Sequence, residues 1–321
     1  MSDNAGPKVF VTVPSYGHAR YVEECLRSIF RQSLRPSKLL VIDDGSPDDS
    51  PAVIERVLAG CPFESELIVR ENRGLAATLE QALSLSGGEY FAYLGSDDIW
   101  LPHMLREQTE LLEARPDAAL AYAHVYVIDE NDNIVDRTDN WFPIPSNGIL
   151  DDLLGGRIFS SPGVVYRRDI LARYGWNTGS KLEDYELYLK LAADHELAGN
   201  PRVLAAWRRH GANTSDDVEA MLGEWIAAQD RAAAALGLGR DELDRIQGRL
   251  RFDTAAEFVR QGERRKAAEL AIENWRHAGS ARALLATAAR LAAPPSLFRW
   301  NRQRKKTAAA GKYGDLKDLL A

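Results

Sequence analysis

The sequence predicts an α/β fold: a mostly parallel sheet with helices on both faces, followed by a helical C-terminal region. Three observations predict it. Short apolar, β-branched runs alternate with segments of helical spacing over residues 9–94. Polar or acidic residues directly follow several of the predicted strands, as in open α/β sheets that bind ligands at this edge. From residue 216 to 321 the composition shifts to Ala, Leu, Arg and Glu at helical spacing, with almost no strand signal.

The predicted elements alternate regularly at the start of the chain. A β-branched run at 9–13 stops at Pro14, as a buried strand does. Helices are then predicted at 21–30, 51–59 and 75–85, and strands at 39–42, 66–70 and 90–94. Successive βαβ units make these strands parallel, so their carboxyl ends should meet at one edge of the sheet.

The pattern becomes less regular after residue 98. A helix is predicted to start near Ile99, and strands at 119–128 and 134–137 around a turn at 130–133 predict a hairpin. A short strand at 164–167 and a helix beginning near Glu183 complete a predicted domain that spans residues 1–215. Residues 216–321 form the helical region, in which 254–292 is compatible with a helical hairpin.

Composition and charge restrict the class of protein. The 321 residues are 45% hydrophobic, enough for a full core, and the net charge of −7 argues against a nucleic-acid partner. Cys25 and Cys61 have no CxxC spacing, so neither a zinc site nor a disulfide framework is indicated. Without a signal-peptide pattern or 18 consecutive apolar residues, the sequence predicts a cytoplasmic protein.

Positive charge is concentrated near the C-terminus. This basic patch lies beside apolar and aromatic residues and comprises Arg299, Arg302, Arg304, Lys305 and Lys306, with Leu297, Phe298 and Trp300. Two interpretations are open. The patch is either a solvated helix end or a peripheral contact with an anionic membrane surface, at the inner face of the membrane.

Two acidic pairs follow predicted strands, and each has two interpretations. Asp43 and Asp44 open an Asp-Asp-Gly-Ser turn, or Asp43 accepts a hydrogen bond from a nucleobase. Asp97 and Asp98 cap the helix predicted near Ile99, or they bind a hard cation such as Mg²⁺ or Mn²⁺. Such a cation is held by one or two carboxylates while it bridges phosphate oxygens.

A third acidic pair and a cationic segment follow later in the chain. Glu183 and Asp184 stand where a helix begins, so they complement its dipole, or Asp184 is a general base for an attacking hydroxyl. The polar segment 207–215 follows an apolar run. There Arg209 or His210 could neutralise a diphosphate, although a histidine beside arginines is also common on plain surfaces.

In their order along the chain, these motifs resemble glycosyltransferase family 2, whose members are inverting transferases with the GT-A fold, a Rossmann-like α/β fold. The resemblance covers residues 8–215, and its blocks are Val11–Tyr16, Val41–Ser46, Glu71–Ala76, Gly88–Asp98, Glu183–Leu187 and Arg208–His210 with Asn213 and Ser215. It implies transfer of a sugar from a nucleotide-diphosphate sugar to a hydroxyl of a carbohydrate or lipid-linked acceptor, in surface polysaccharide or glycoconjugate synthesis.

The resemblance also implies a role for each motif. The nucleotide-binding residues would be Pro14, Ser15, Tyr16, Asp43, Arg73, Asp97 and Arg209. The metal ligands would be Asp97, Asp98 and His210, and the catalytic residues would be Asp184, as the base, and Glu183. Two departures stand out: Gly95 replaces the first acid of a frequent Asp-x-Asp motif, and Ala-Thr-Leu at 77–79 replaces a frequent Ala-Arg-Asn, so Arg73 would have to supply an arginine near the base.

Two other functions fit parts of the sequence. A sugar nucleotidyltransferase also uses an α/β sheet with metal-bound carboxylates, but it usually has a Gly-rich, basic loop that 14–18 does not match. A catalytically inactive scaffold would explain Gly95, whereas the retained acids and His210 favour an enzyme. The enzyme hypothesis requires Asp43, Asp97 and Asp184 to converge at one rim of the sheet.

Overall fold

A single mixed sheet forms the centre of the computed structural model, which describes residues 8–146, 148–180, 182–211, 217–294, 296–298, 304, 309 and 311–320. Within these residues the strands are β1 (Val9–Ser15), β2 (Lys38–Asp43), β3 (Ser65–Val69), β4 (Tyr90–Tyr93), β5 (Ile99–Trp100), β6 (Ala118–Ile128), β7 (Ile134–Arg137), β8 (Val164–Arg167) and β9 (Glu196–Arg208). The order is β3-β2-β1-β4-β8-β6-β9-β5, and β7 pairs with β6. The predicted α/β class is therefore confirmed.

Helices cover both faces of the sheet and form the C-terminal region. Those of the sheet domain are α1 (Val22–Phe30), α2 (Ser50–Leu58), α3 (Leu75–Leu85), α4 (Met104–Ala114), α5 (Leu150–Leu154), α6 (Arg168–Tyr174) and α7 (Glu183–Asp194). Those that follow are α8 (Val218–Ala232), α9 (Arg240–Gln261), α10 (Arg264–Glu273), α11 (Ala281–Ala292) and α12 (Leu316–Leu319). In the described part of the chain, no helix combines the length and the apolar character that crossing a membrane requires.

Most of the long strands end at the same edge of the sheet. β1 runs parallel to β2 and β4, and β2 runs parallel to β3. β8 is antiparallel to both β4 and β6, so β4 and β6 point the same way, and β9 is parallel to β6. The loops after β1, β2, β4, β6 and β9 therefore lie along one rim, which we call the carboxyl edge.

The helix predicted near Ile99 is wrong. Ile99 and Trp100 form β5, which pairs antiparallel with β9, and α4 begins only at Met104. Both side chains of β5 are fully buried, and the Trp100 indole N–H donates to the Pro162 carbonyl at 2.7 Å. This tertiary burial fixes an extended conformation, so Asp97 and Asp98 are not helix caps.

Two large apolar clusters fill the space on either side of the sheet. One includes Val11, Leu26 and Leu105, from β1, α1 and α4. The other includes Leu189 of α7 and also Ala228 of α8, so the first C-terminal helix shares a core with the sheet domain. The boundary at residue 215 stays a prediction. The stretch 254–292 holds the end of α9, then α10 and α11, rather than two helices.

Candidate active site

Three side chains meet at the carboxyl edge. His210 Nε2 lies 3.0 Å from Asp97 Oδ2, and His18 Nδ1 lies 3.7 Å from Asp97 Oδ1. One ligand atom from each of the three lies within 4.8 Å of the others, as a single cation would require. Among the described residues this is the group of three His, Cys, Asp or Glu side chains with such spacing. Asp97 and His210 were predicted as metal ligands, whereas His18 was not.

Neighbouring side chains fix the two imidazole rings. The His18 ring nitrogen Nδ1 lies 2.8 Å from Ser96 Oγ, and the His18 backbone N–H donates to Ser50 Oγ at 3.0 Å. The His210 ring stacks on Tyr21, with 5.6 Å between ring centroids and 15° between planes. Burial lowers the pKa of His18 although Asp97 raises it. The net shift favours the neutral imidazole, which is the form that binds metals.

Asp97 and Asp98 are adjacent but have different surroundings. Burial alone would raise the pKa of Asp97, but its hydrogen bond with His210 and the nearby His18 lower it, so this carboxylate is ionised. Burial and the charge of Asp97 raise the pKa of Asp98 well above its usual value. Asp98 Oδ1 accepts the backbone N–H of Arg208 at 2.8 Å. Asp98 is not one of the three grouped side chains, so its role as a metal ligand stays a prediction.

Gly95 has a geometric reason to carry no side chain. A Cβ atom there would lie 3.0 Å from Asp97 Oδ1 and 3.1 Å from Asp98 Oδ2, closer than nearly all such contacts. An acid at this position, as in Asp-x-Asp, would crowd both carboxylates in their present places. The absence of a side chain at Gly95 therefore leaves room for the present positions of Asp97 and Asp98.

Arg208 is a buried cation beneath the site. It belongs to the polar segment 207–215, yet it ends β9 and is 1% exposed. Its guanidinium donates from Nε to the Asp97 carbonyl at 2.8 Å, forms an ion pair with Asp132 and lies 4.6 Å from the centroid of the Tyr21 ring. Arg208 thus connects the loop after β4 with the turn between β6 and β7. Arg209, predicted to bind the nucleotide, is exposed beside Trp207.

The residues predicted to bind the nucleoside lie at the ends of β1 and β2. Ser15 pairs in register with Asp43, and both are buried, whereas Tyr16 is 51% exposed. The Ser15 hydroxyl finds no hydrogen-bond partner within the described part of the chain. Asp43 accepts the Ser46 backbone N–H at 2.9 Å and its hydroxyl at 2.6 Å, so the predicted turn chemistry is present. Ser46 Oγ in turn accepts the N–H of Gly17, next to His18, at 2.9 Å.

Asp44 has a structural partner that the sequence did not indicate. It forms a buried ion pair with Arg70 at 2.8 Å and accepts the backbone N–H groups of Arg73 and Gly74 at 3.0 and 2.7 Å. Arg70 also donates to Thr78 Oγ1 at 2.6 Å. The Arg73 side chain is exposed. The buried arginine next to the predicted nucleoside residues is therefore Arg70, at the end of β3, and not Arg73.

The third acidic pair occupies the first turn of α7. The Tyr93 hydroxyl donates to Glu183 Oε1 at 3.4 Å, which brings this turn to the end of β4, four residues before Asp97. Asp184 is 9% exposed, and its Oδ1 has no hydrogen-bond partner among the described residues. Burial raises the pKa of Glu183 to about 7. Burial and the charge of Glu183 raise the pKa of Asp184 well above its usual value.

Hydrogen bonds through Gly17 and Ser46 connect His18 and Asp97 with Asp43, whereas the acid pair of α7 contacts Tyr93, four residues before Asp97. A cavity of about 610 Å³ lies instead at the opposite edge, near the amino ends of β6 and β9, where its lining includes Pro116, Asp117 and His195. None of the predicted site residues lines it. The carboxyl edge is the candidate site, because the buried acids with shifted pKa values are there.

This fold, with its acids at the carboxyl edge, is similar to that of GT-A glycosyltransferases. The chain belongs to glycosyl transferase family 2, whose model matches residues 10–175, about half of the chain. It is 28% identical over 170 residues to an uncharacterized glycosyltransferase of Nostoc sp., covering 52% of each chain. It is also 28% identical over 218 residues to the chondroitin synthase of Escherichia coli, covering 65% of this chain and 30% of that protein. The chain spans about half the length, or less, of these curated relatives.

Solved structures with the same fold cover more of the chain. A mannosyltransferase from Pyrobaculum calidifontis, in complex with GDP-Man and Mn²⁺, superposes with a TM-score of 0.62 at 22% identity, covering 96% of this chain and 87% of that chain. S. aureus TarS in complex with UDP-GlcNAc gives a TM-score of 0.53 at 15% identity, covering 84% and 89%. At these identities the similarity concerns the fold.

Proposed function

We propose that this protein is an inverting glycosyltransferase that uses a nucleotide-diphosphate sugar, a divalent cation and an acceptor hydroxyl. The observation that carries the proposal is the group of His18, Asp97 and His210 at the carboxyl edge, near the acid pair of α7. The P. calidifontis complex with GDP-Man and Mn²⁺ and the TarS complex with UDP-GlcNAc support this choice of donor class. The acceptor would be a carbohydrate or a lipid-linked molecule in surface polysaccharide or glycoconjugate synthesis.

The side chains at the edge fit a divalent cation. Asp97 supplies an ionised carboxylate, and His18 and His210 supply imidazole nitrogens. Two nitrogen donors favour Mn²⁺ over Mg²⁺, because Mg²⁺ prefers an all-oxygen octahedron. Bound there, the cation would neutralise the charge of the diphosphate leaving group.

Two buried polar groups at the ends of β1 and β2 fit the nucleoside. Asp43 has a carboxylate that already accepts two hydrogen bonds from Ser46 and can accept a further one from a base N–H. The buried Ser15 hydroxyl is available to a bound nucleotide, since it has no partner among the described residues. We therefore assign the nucleoside end of the donor to these two residues with Pro14 and Tyr16.

The acid pair is suited to remove the acceptor proton. In the proposed displacement, the acceptor oxygen forms a bond to the anomeric carbon as the bond to the diphosphate oxygen breaks, and Asp184 takes the hydroxyl proton. Attack from the side opposite the leaving group inverts the anomeric centre. Burial raises the pKa values of Asp184 and Glu183, so each of them, when ionised, is a stronger base than an exposed carboxylate.

A panel of nucleotide sugars tests this function. Slow hydrolysis of one UDP-, GDP- or dTDP-sugar is expected with Mn²⁺, loss of activity with EDTA, and recovery when Mn²⁺ is added back. No turnover of any donor would favour the inactive scaffold. Formation of a nucleotide sugar from a nucleoside triphosphate and a sugar phosphate would instead identify a nucleotidyltransferase.

The variant Asp184→Asn tests the base. It should abolish transfer while UDP or GDP binding, measured by calorimetry, stays within about twofold of wild type, because the amide keeps the shape but cannot take the proton. Rapid residual turnover would contradict the role of Asp184. Proton NMR of the first product formed tests inversion.

A further inference from the structure

Charge is divided sharply between two parts of the chain. Residues 264–321, which we call the C-terminal basic segment, contain thirteen Lys and Arg against four Asp and Glu, a net charge of +9. The whole chain has a net charge of −7, so residues 1–263 have a net charge of −16. A separation of this size predicts a strong attraction between the C-terminal basic segment and a negatively charged surface.

The same segment exposes large apolar side chains. Of the nine exposed large hydrophobic residues in the described part of the chain, four lie between residues 272 and 297. They are Ile272 and Leu285, each 71% exposed, Trp275 at 53% and Leu297 at 48%. These residues are exposed although the helices that carry them also have apolar faces packed inside the region.

Basic and apolar side chains are neighbours on this surface. The Arg276 guanidinium lies 5.6 Å from the centroid of the exposed Trp275 ring. On α11, Arg282 and Leu285 are three residues apart and both exposed, so they share one face, while Thr287 is buried on the other. A surface that mixes arginines with exposed Trp, Ile and Leu is suited to the boundary between lipid headgroups and acyl chains.

We propose that the C-terminal basic segment docks the protein on an anionic lipid surface. The apolar side chains would enter the headgroup boundary while the arginines and lysines meet lipid phosphates. Exposed aliphatic side chains favour a lipid over a polyanion such as nucleic acid, which offers no apolar layer to receive them. The inference does not depend on the transferase activity.

Flotation of the full chain with vesicles tests the proposal. Binding is expected to vesicles with 30% phosphatidylglycerol in phosphatidylcholine, and little to phosphatidylcholine alone. Raising the salt from 0.05 to 0.5 M should release most of the protein, since screening weakens the attraction. Absence of binding at low salt, or equal binding to both vesicle types, would overturn the proposal, as would binding to heparin alone.

Matched pairs of variants locate the surface. Trp275→Ser combined with Leu285→Ser should weaken partitioning about tenfold or more, whereas Trp141→Ser combined with Leu85→Ser, at exposed side chains of the sheet domain, should leave it unchanged. Arg276→Gln combined with Arg282→Gln should weaken binding about twentyfold, and Arg27→Gln combined with Arg56→Gln should not. Equal losses in test and control pairs would place the contact elsewhere and refute the assignment. Unchanged circular dichroism establishes that each variant is folded.

Discussion

At the scale of single residues, the surroundings of a carboxylate decide what it can do. Asp97 and Asp98 are consecutive, yet imidazoles keep the first ionised, while burial and the first carboxylate favour the neutral form of the second. Asp43 and Asp44 are also consecutive, and they differ in their hydrogen-bond partners. Asp43 binds its own turn and keeps acceptor capacity, whereas Asp44 is committed to Arg70 and the loop at 73–74.

Asp184 should cost the protein stability at neutral pH. Its raised pKa means that folding favours the protonated form, so its contribution to stability falls as pH rises from its unfolded pKa toward the folded one. Asp184→Asn stays neutral, and its melting temperature should exceed that of wild type by an amount that grows from pH 5 to pH 8. Differential scanning calorimetry at each pH measures this difference. The exposed Asp169→Asn is the control, and a gap that shrinks with pH would contradict the prediction.

His18 should contribute to cation binding even without a nucleotide. His18→Ala removes one of three donors and should weaken Mn²⁺ binding to the free protein by at least 10–100-fold, measured by titration calorimetry. His103→Ala removes an exposed ring that lies 3.0 Å from Ser33 and should change nothing. Equal Mn²⁺ affinity in wild type and His18→Ala would exclude His18 from the site.

The sequence could have indicated some of these residues and not others. His18 entered the sequence analysis only as part of residues 14–18, a loop with too few glycines and basic residues to bind a triphosphate. Its position after the first strand of a parallel sheet already placed it at the edge that carries Asp97. The sequence indicated less clearly that Arg70 is buried. An arginine at the end of a strand can be exposed or buried, and only its ion pair with Asp44 in the structure distinguishes the two.

At the scale of elements, β9 does most to assemble the site. It runs for 13 residues from Glu196 to Arg208, with irregular register against β6, and its end delivers Arg208 and then His210. Only its apolar stretch at 203–206 stood out in the sequence. The strand continues to Arg208 because pairing with β6 and contact with Asp98 hold the polar end in place.

Arg208 should be far more costly to replace than its half-buried partner Asp132. Arg208→Gln leaves the Asp97 and Asp129 carbonyls and the Asp132 carboxylate without this cation and should cost about 3–5 kcal/mol, as for other broken buried pairs. Asp132→Asn, at a side chain that is 34% exposed, should cost less than about 1 kcal/mol. Urea unfolding measures both. Similar costs would mean that Arg208 acts only through that ion pair.

The regular part of the sheet was predictable because its signals are local. Alternating apolar runs and helical spacing identified β1 to β4 and α1 to α3 within one or two residues. The position of β8 between β4 and β6 and the short β5 depend on pairing between distant segments, which no local pattern encodes. The prediction of a helix near Ile99 was wrong for this reason, because the pairing of β5 with the distant β9 decides its conformation.

At the scale of the whole molecule, the C-terminal region returns to the sheet. Leu316 of α12 is 1% exposed and packs in a cluster with Ile99, Ile128 and Ala206, beside the strand ends of the site. Nothing in the helical spacing of residues 216–321 indicated this contact, since periodicity shows which face of a helix is apolar but not what it covers. The residues of the predicted basic patch other than Arg304, Leu297 and Phe298 lie outside the described residues, as do Asn213 and Ser215.

Leu316 should therefore matter for the stability of the whole chain. Leu316→Ala opens a cavity in that cluster and should cost about 2–4 kcal/mol in urea unfolding. Leu285→Ala makes the same change at a side chain that is 71% exposed and should stay within about 0.5 kcal/mol of wild type. Equal effects would mean that α12 is not packed as described.

His18, Asp97 and His210 stand far apart along the chain, and the last two alone are separated by 113 positions. A cation held by all three would fasten three distant loops to one another, much as a disulfide fastens two, and would stabilise the folded chain by closing very long loops. Trypsin should consequently cleave the chelator-treated protein at the peptide bond after Arg20, and added Mn²⁺ should protect this bond.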